Sequence, residues 1–377
     1  MRLCYLADPR STHTRRWLDY FVRRGHEVHL LTVHPHFSPL AGVKAHRILS
    51  LPPFLKTMQR GHGWLALLFS SWRINSFIRA IKPDVLHAHF AKYYGWLAAL
   101  SGFHPWVLTV WGGDILADQG AFQLAGKWLT PFSLKKADLV TAVSPHLLGV
   151  ARQYMNPATE GYVTTIGADL ANFNPTVEAK PWREQLGLGL QPVILSPRSF
   201  TPLYNIHTIV AAIPDVLAQV PEALFVFKEN RSAGWEAYRE QIRRLVNDLK
   251  VEGSVRYAGE VPYQEMAAFY RLADVVVSVP LSDGLPVTVL EAMACGVPVV
   301  LSRLPHLEKL FIDGQNALTV PAQEPQQLAE AIVRLLHDKP LQQKMIANNL
   351  ALVKAHGDFQ AEMQKMEKLY ERIAGHG

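Results

Sequence analysis

Two carboxylates in one short segment are the residues of this sequence best suited to chemistry. Asp283 and Glu291 form a D-x7-E pattern within ADVVVSVPLSDGLPVTVLEAMACGVPVVLS, residues 273–302. A carboxylate accepts hydrogen bonds from hydroxyls, as recognition of a ribose or hexose requires. The plainer interpretation makes Asp283 a helix cap and Glu291 a solvated surface residue. Because Glu291 stands in the apolar stretch VTVLEAMA, where an unpartnered charge is costly, we favour a ligand-binding role.

The segment around these carboxylates has the pattern of a strand, a turn, a helix and a second strand. Pro286 is expected in the first helical turn, and Gly296 at the helix end. Ligands of open parallel sheets bind beyond the carboxyl ends of the strands, and the N–H groups of a helix start attract anions such as a diphosphate. The candidate binding residues here are Asp283, Gly284, Leu285, Pro286, Val287, Thr288 and Glu291.

These residues belong to a chain in which short apolar runs alternate with helical periodicity, the pattern of an α/β protein with parallel sheets. The first series of expected strands covers 3–6, 27–32, 43–49, 85–88, 106–110, 139–143 and 161–166. The second covers 193–196, 224–228, 255–258, 275–279, 297–301 and 317–320. A turn-rich stretch, 172–189, separates the two series. We therefore predict domains at 1–178 and 179–355, and a helix at 356–377 that packs back on the first domain.

Composition excludes several classes of protein. The 377 residues exceed what one core supports, and 49% hydrophobic with 19% charged residues argues against disorder. Two cysteines in apolar segments, Cys4 and Cys295, offer no disulfide framework and favour the cytosol. The apolar start at 1–7 is too brief for a signal-peptide core, and the apolar stretch 64–72 is far short of the roughly 20 residues of a membrane span. We expect a cytoplasmic protein.

The net charge of +6 fits nucleic acid, an anionic membrane surface or anionic substrates. Basic and aromatic side chains are mixed in one segment, at Lys56, Arg60, Trp64, Phe69, Trp72, Arg73, Phe77, Arg79 and Lys82. Such a helix either lies peripherally on the inner face of a membrane or packs its aromatic face into the protein and leaves its cations in water. We do not expect nucleic acid as a partner.

The run EAMACGVPVV at 291–300 resembles the GT-B glycosyltransferases, specifically the retaining glycosyltransferase family 4, whose mark is E-x7-E followed by this run. Asp283 stands in place of the first Glu. Further matching segments are DVLHAHF at 84–90, LTVWGGDIL at 108–116, ADLVTAVS at 137–144 and IGADLANFNP at 166–175. The resemblance covers nearly the whole chain. It implies two Rossmann-like, doubly wound domains whose parallel sheets face a central cleft.

The resemblance also implies the reaction. A metal-independent hexosyltransferase would move sugar, with retention, from a nucleotide diphosphate sugar to a glycan, polysaccharide or lipid-linked acceptor, with no further cofactor. Arg198 matches the arginine that, with a nearby lysine, holds the donor diphosphate and stabilises the leaving charge. Tyr204 and Asn205 occupy the lysine's place, so we expect Asn205 to donate a hydrogen bond and the stabilisation to be weaker or shared with Lys228.

Acceptor and catalytic contacts are expected from the first domain. Asp114, in WGGD, is predicted at an exposed turn facing the cleft and, with Arg198 and Asp283, makes up the predicted catalytic set. An equal alternative makes Asp114 a turn-forming residue of an Asx motif. Trp111 stands where the family often has His and is expected to stack on a sugar. His13 resembles the family's first-loop residues near the donor phosphates, with a ligand-free helix start as an even alternative.

His87 and His89 share one face of a strand end, but no Asp, Glu or Cys joins them at ligand spacing, so no metal site is expected. We expect one of them to be packed and the other to line the cleft. No G-x-G-x-x-G after a strand, Walker loop or H-E-x-x-H is present, which removes dehydrogenase, nucleotide triphosphatase and zincin interpretations. Two alternatives stay open: a nucleotide sugar epimerase or hydrolase of the same fold, and a nucleotide-sugar-binding module without activity.

Overall fold

The computed structural model of the chain describes residues 1–34, 36–48, 63–116, 123–229 and 234–375. The chain forms two compact units. The first unit contains Met1–Ile166 and Ala361–Gly377, and the second contains Gly167–Gln360. Each has its own parallel sheet and its own helices.

The first unit is built on a parallel sheet of seven strands in the order β3-β2-β1-β4-β5-β6-β7. Its strands are β1 (Arg2–Leu6), β2 (Glu27–Thr32), β3 (Val43–Arg47), β4 (Val85–His89), β5 (Trp106–Val110), β6 (Leu139–Ala142) and β7 (Glu160–Val163). Its helices are α1 (Thr12–Arg23), α2 (Gly63–Ile81), α3 (Tyr94–Ser101), α4 (Gln123–Lys136) and α5 (Pro145–Arg152).

The second unit repeats this architecture with six parallel strands in the order β10-β9-β8-β11-β12-β13. The strands are β8 (Val193–Ser196), β9 (Leu224–Phe227), β10 (Val255–Tyr257), β11 (Val275–Ser278), β12 (Val299–Ser302) and β13 (Leu318–Val320). The helices are α6 (Lys180–Gln185), α7 (Ile206–Leu217), α8 (Glu236–Asp248), α9 (Met266–Arg271), α10 (Val287–Ala294), α11 (Pro325–His337) and α12 (Lys339–His356). A last helix, α13 (Phe359–Ala374), leads back into the first unit.

The prediction of two Rossmann-like α/β domains with parallel sheets is confirmed. Three strands, β2, β5 and β8, begin and end at the predicted residues, and the others differ by three residues or fewer at an end. Strands such as β4 and β5 are buried along their whole length, since helices cover both faces of a parallel sheet. Continuous apolar runs were therefore a reliable sign of these strands.

Helix α1 shows how local sequence sets the first βαβ unit. The Ser11 hydroxyl accepts a hydrogen bond from the Thr14 N–H at 3.5 Å and caps the helix start. Trp17 and Phe21 are fully buried beneath the helix. The chain then turns at Gly25 with φ of 81°, a conformation that glycine adopts without a Cβ clash. The helix ends there and β2 begins.

The boundary between the units lies after Ile166, ahead of the predicted position near 178. The segment after β7 belongs with the second unit because the Ala168 N–H donates to the Gly357 carbonyl at 2.7 Å. A Cβ on Gly296 would meet the Pro175 ring at 3.4 Å, which shows how closely this segment packs on the second unit. Turn-rich composition marked the linker, but these contacts decide which unit it joins.

Helix α13 completes the first unit through polar contacts. The Tyr370 hydroxyl lies 3.2 Å from the Trp17 indole nitrogen, which donates to it, and 3.4 Å from the Tyr5 hydroxyl. The Glu367 carboxylate accepts from Arg24 at 3.1 Å and lies 2.8 Å from the His26 ring nitrogen. The end of the chain is thus part of the first unit's core.

Helix α2 carries part of the basic and aromatic segment. Lys56, Arg60 and the side chains of Trp64 and Phe69 lie outside the described residues. Within the described part, Ile74 is buried, Trp72 is 63% exposed, and the Arg73 guanidinium lies 5.8 Å from the centre of the Phe77 ring. In the described ranges, no helix has both the length and the apolar character needed to cross a bilayer.

Candidate functional site

Arg198 is the centre of a charged cluster in the second unit. It follows β8, and its guanidinium donates to the Asp283 carboxylate at 2.8 Å and to the Thr288 hydroxyl at 2.9 Å. The guanidinium also lies 3.9 Å from the centre of the Tyr204 ring. Burial, the largest single effect, acts to lower the pKa of Arg198, but Asp283, Tyr204 and Tyr270 together outweigh it, and the pKa is raised. The cation is therefore permanent and held in one orientation.

Asp283 lies in the loop between β11 and α10, as the sequence indicated. Its second carboxylate oxygen accepts from the Gly284 N–H at 2.9 Å, and the His306 ring nitrogen lies 2.7 Å from its main-chain carbonyl. The structure thus brings Arg198 together with Asp283 and Thr288, which are distant from it in sequence. The loop that carries Asp283 is held by Arg198 on one side and by His306 on the other.

The start of α10 supplies fewer amides than its sequence suggested. Pro286 precedes the helix and has no N–H, and the Gly284 N–H already binds Asp283. The N–H groups of Val289 and Leu290 bind the Pro286 carbonyl. Helix geometry leaves the first N–H groups, those of Val287 and Thr288, for an anion. The predicted amide series from Gly284 to Thr288 is therefore corrected at Gly284 and Pro286, and the N–H groups of Leu285, Val287 and Thr288 stay predicted donors.

Glu291 is buried, with 5% of its surface exposed, and accepts a hydrogen bond from the Tyr270 hydroxyl at 3.1 Å. The pKa of Tyr270 is raised well above its usual value by burial and by the Glu291 charge. Glu291 also acts electrostatically on Lys228, whose pKa is lowered by burial and by Arg198 against the opposing effect of Glu291. The interpretation of Glu291 as a solvated surface residue is wrong.

Asn205 does not have the predicted role. Its side chain is fully buried, and its amide nitrogen donates to the carbonyls of Val279, at 3.0 Å, and Ala322. Its amide oxygen accepts from the Thr208 hydroxyl at 2.7 Å. Because both amide hydrogens are used within the protein, Asn205 has none for a donor diphosphate. It connects the start of α7 to the loops after β11 and β13.

In the first unit Asp114 is fully buried, so the prediction of an exposed turn residue is wrong. Its carboxylate accepts from the N–H groups of Ala91 at 2.8 Å, Trp111 at 3.0 Å and Gly112 at 2.8 Å. Burial raises the pKa of Asp114, and these backbone hydrogen bonds oppose the rise. The tight turn after β5 leaves N–H groups that need an acceptor. Asp114 therefore supports the loops after β4 and β5, in agreement with the alternative Asx interpretation.

His13 and Trp111 form an aromatic stack at the carboxyl edge of the first sheet. Their ring centres lie 5.4 Å apart with planes 23° from parallel. Trp111 also contacts His89, at 5.4 Å between ring centres, and Trp17, at 6.4 Å. The structure places His13 in the first turn of α1, as expected, beside the loop that the family resemblance assigned to the site. Contacts of these rings with a donor or a sugar stay predictions.

His87 and His89 are both buried, with 1% and 3% exposed. The His87 ring bonds to the hydroxyls of Thr109, at 2.6 Å, and Tyr370, and burial lowers its pKa well below the usual value. Burial lowers the pKa of His89 to about 3, with His13 adding to the effect. The expectation that one of them lines a cleft is wrong. The residues that the structure describes contain no group of three or more His, Cys, Asp or Glu arranged to hold a metal.

Sequence patterns missed two residues of the charged cluster, Tyr270 and His306, and did not predict the contact that Tyr204 makes with Arg198. Tyr204 faces Arg198, Tyr270 binds Glu291, and His306 supports the Asp283 loop. None belongs to a motif with recognisable spacing, and the only signal was the position of Tyr204 shortly after Arg198 in SPRSFTPLY. Their roles follow from packing of elements that are distant along the chain.

Comparison with known proteins gives family matches in both units. Residues 2–144 match the family described as Glycosyl transferase 4-like, and residues 178–351 match Glycosyl transferases group 1. A GDP-mannose-dependent alpha-(1-6)-phosphatidylinositol monomannoside mannosyltransferase of Mycolicibacterium smegmatis is 28% identical over 54% of this chain and 54% of its own length. A D-inositol 3-phosphate glycosyltransferase of Corynebacterium jeikeium is 26% identical over 78% of this chain and 74% of its own. The chain thus spans about half of the first relative and about three quarters of the second.

Solved structures share the fold over the whole chain. Sucrose-phosphate synthase of Thermosynechococcus elongatus is 21% identical, with a TM-score of 0.83 and 100% of both chains covered. The Anabaena protein HepE, solved in complex with UDP-glucose, is 18% identical, with a TM-score of 0.80 over 99% of this chain and 100% of its own. The solved structures show that the chain has the GT-B fold, and the family matches in both units show that it belongs to the glycosyltransferases of group 1 with a 4-like first unit.

Proposed function

We propose that the chain is a retaining, metal-independent hexosyltransferase that uses a nucleotide diphosphate sugar as donor and a glycan, polysaccharide or lipid-linked molecule as acceptor. The observation that carries this proposal is the cluster of Arg198, Asp283 and Thr288 at the start of α10, with Glu291 buried in the same helix. It combines a fixed cation and helix-start amides with two carboxylates.

Each part of the cluster matches one part of a donor. The guanidinium of Arg198 and the N–H groups of Val287 and Thr288 suit the oxygens of a diphosphate. Glu291 suits the ribose hydroxyls, and Asp283 suits hydroxyls of the sugar. We assign the acceptor to the first unit, where His13 and Trp111 present stacked rings at the carboxyl edge of the sheet.

In the proposed reaction the bond between the anomeric carbon and the β-phosphate oxygen breaks, and its electron pair stays on that oxygen. The acceptor hydroxyl forms the new bond on the same face of the sugar, and its proton passes to the departing diphosphate. Charge therefore develops on the leaving group. Arg198, whose charge is permanent and partly desolvated, is positioned to stabilise it.

The names of related proteins support this class of substrates without selecting one. The Anabaena structure holds UDP-glucose, the Mycolicibacterium relative is GDP-mannose-dependent, and a Bacillus subtilis relative, 28% identical over 78% of this chain and 72% of its own, is a putative teichuronic acid biosynthesis glycosyltransferase. We accordingly propose a role in polysaccharide or glycolipid synthesis. The cytoplasmic location and peripheral membrane contact through α2 belong to the same proposal.

A thermal-shift panel of UDP, GDP, ADP and dTDP sugars tests the donor site. A ligand at about 100 times its dissociation constant stabilises the folded state by about 2.7 kcal/mol, which shifts the melting temperature measurably. Glu291→Gln is expected to reduce this shift while keeping the volume of the side chain. Glu330→Gln, an exposed position on α11, is the matched control.

No shift with any sugar nucleotide would contradict the proposed donor site. Equal shifts in wild type and Glu291→Gln would remove Glu291 from it. Sugar release from the bound donor in the presence of water alone would favour the hydrolase alternative. Binding without cleavage, across a panel of glycan and lipid-linked acceptors, would favour a binding module without activity.

A further inference from the structure

Lys228 is a second cation at the same edge of the second sheet as Arg198. It follows the last residue of β9, and its N–H donates to the carbonyl of Ser196, the last residue of the neighbouring β8, at 3.1 Å. Arg198 follows that same strand end by two residues. Two neighbouring strands thus deliver one guanidinium and one ammonium to the carboxyl edge, where ligands of parallel sheets bind.

The Lys228 side chain is half-buried, and among the described residues no carboxylate lies within ion-pair distance of its ammonium. Within the described residues its one hydrogen-bond contact is the thioether sulfur of Met266, at 3.9 Å, a weak acceptor. Arg198, by contrast, has the Asp283 carboxylate at 2.8 Å. An ammonium partly withdrawn from water without an oxygen acceptor destabilises the folded protein. A binding site can keep such an ammonium because the bound ligand supplies the missing negative charge.

The charges around Lys228 point to the donor site. The groups that act on it electrostatically are Glu291, Arg198 and Glu260. Met266 begins α9, and Tyr270, one turn further along that helix, donates to Glu291 at 3.1 Å. Lys228 therefore lies among the residues already assigned to the diphosphate and the ribose.

Among the described residues of the cluster, two positions that could have supplied a second positive charge do not. Tyr204 covers the face of the Arg198 guanidinium, and both amide hydrogens of Asn205 are bound to main-chain carbonyls. These two residues stand where the related family has its lysine. In the described part of this sheet edge, Lys228 is the side chain that brings a positive charge beside that of Arg198.

We infer that Lys228 binds the β-phosphate of the nucleotide sugar beside Arg198 and stabilises the diphosphate as it leaves. The inference rests on the proposed function. When the bond to the anomeric carbon breaks, the electron pair stays on the β-phosphate oxygen and the leaving group gains one negative charge. The bound donor already carries a charge on each phosphate, but its bridging oxygen is uncharged until the bond breaks. A nearby, partly desolvated ammonium therefore stabilises the leaving diphosphate more than the bound donor, so Lys228 contributes to turnover as well as to binding.

The test compares nucleoside diphosphate with the monophosphate of the same base, using the base that gives the largest shift in the thermal panel. Affinities are measured by calorimetry for wild type, Lys228→Met and Lys228→Gln. Loss of one charge-assisted hydrogen bond is expected to weaken diphosphate binding roughly tenfold to hundredfold. Monophosphate binding should change less than about threefold, because the contact is to the β-phosphate. Lys228→Arg should recover most of the diphosphate affinity.

Lys344→Met, at an exposed position on α12, removes the same charge away from the cluster and is the matched control. It should leave both affinities unchanged. With donor and acceptor, Lys228→Met should lower kcat while the acceptor KM stays within about twofold, since the residue acts on the leaving group.

The melting temperature without ligand gives an independent readout. Removing a half-buried charge that has no ion-pair partner among the described residues should leave the melting temperature unchanged or raise it. A clear fall in both Lys228→Met and Lys228→Gln would show that Lys228 instead has a structural partner, and would overturn the inference.

Equal weakening of diphosphate and monophosphate, or no weakening of either, would also overturn the inference. In both cases wild-type binding of the diphosphate leaves the proposed function intact. Absence of nucleotide binding by the wild type would count against the proposed function itself.

Discussion

The Arg198–Asp283 pair permits a worked prediction for the substitution Asp283→Asn. The two side chains are 8% and 16% exposed and their charged atoms lie 2.8 Å apart. Removing one partner of a buried pair costs about 3–5 kcal/mol, because the other charge stays buried without compensation. Arg198 keeps the Thr288 hydroxyl and the Tyr204 ring, so we expect the lower end, about 3 kcal/mol.

The measurement is urea unfolding of wild type, Asp283→Asn, Arg198→Met and the double variant. In the Arg198→Met background, Asp283→Asn should cost less than about 1 kcal/mol, because the cation it neutralises is absent. Asp215→Asn, an exposed position on α7, is the control and should change the free energy of unfolding by less than about 0.5 kcal/mol.

The same variant tests the role of Arg198 toward phosphate. A diphosphate supplies the negative charge that Asp283→Asn removes, so saturating nucleoside diphosphate should stabilise the variant more than the wild type. If Asp283→Asn costs the same with or without Arg198, or if diphosphate stabilises both proteins equally, the reasoning about this pair is refuted.

Three further predictions concern the first unit. Asp114→Asn leaves one side-chain oxygen for three backbone N–H groups, so the free energy of unfolding in urea should fall by about 1–3 kcal/mol while nucleotide affinity stays unchanged. A loss of activity without a loss of stability would restore Asp114 as a catalytic candidate. His89 binds a proton near pH 6.5 in the unfolded chain but only near pH 3 in the folded protein, so the stability of the fold should fall as the pH falls through this window. His89→Gln should weaken this pH dependence, which melting curves recorded at a series of pH values would measure. Trp72→Ser, at the exposed position on α2, should reduce the fraction of protein that sediments with anionic phosphatidylserine vesicles at low salt, and Trp235→Ser in the second unit is the control. Failure of the wild-type protein to bind such vesicles would contradict the proposal of peripheral attachment.

Local pattern predicted the elements of this fold well, because a parallel strand covered on both faces must be apolar along its length. The runs at β2, β5 and β8 are bounded by turn residues, and their ends were predicted to the residue. The D-x7-E segment likewise showed where a strand meets a helix, and so where a ligand edge lies. Burial of Glu291 followed from its apolar helix, since no solvated face was available to it.

Side-chain partners were harder to predict, because they depend on which loops meet at the sheet edge. Asp114 was expected to be exposed, yet the turn around it needs an acceptor for three N–H groups, and the carboxylate is consumed there. Asn205 was expected at the phosphate, yet its amide connects the start of α7 to the loops after β11 and β13. In both cases the demand of buried backbone groups for hydrogen bonds outweighed a plausible ligand contact.

The sequence by itself determined the two α/β units, their strands and the segment that carries Asp283 and Glu291. These features depend on the periodicity of apolar residues and on the residue types at turns, and both act over only a few residues. Only the tertiary structure decided that Arg198 pairs with Asp283, that Tyr270 binds Glu291 and that Lys228 and Arg198 follow the ends of neighbouring strands. Those residues come from different strands and helices, and the strand order of the parallel sheet, which no local pattern records, brings them to one edge.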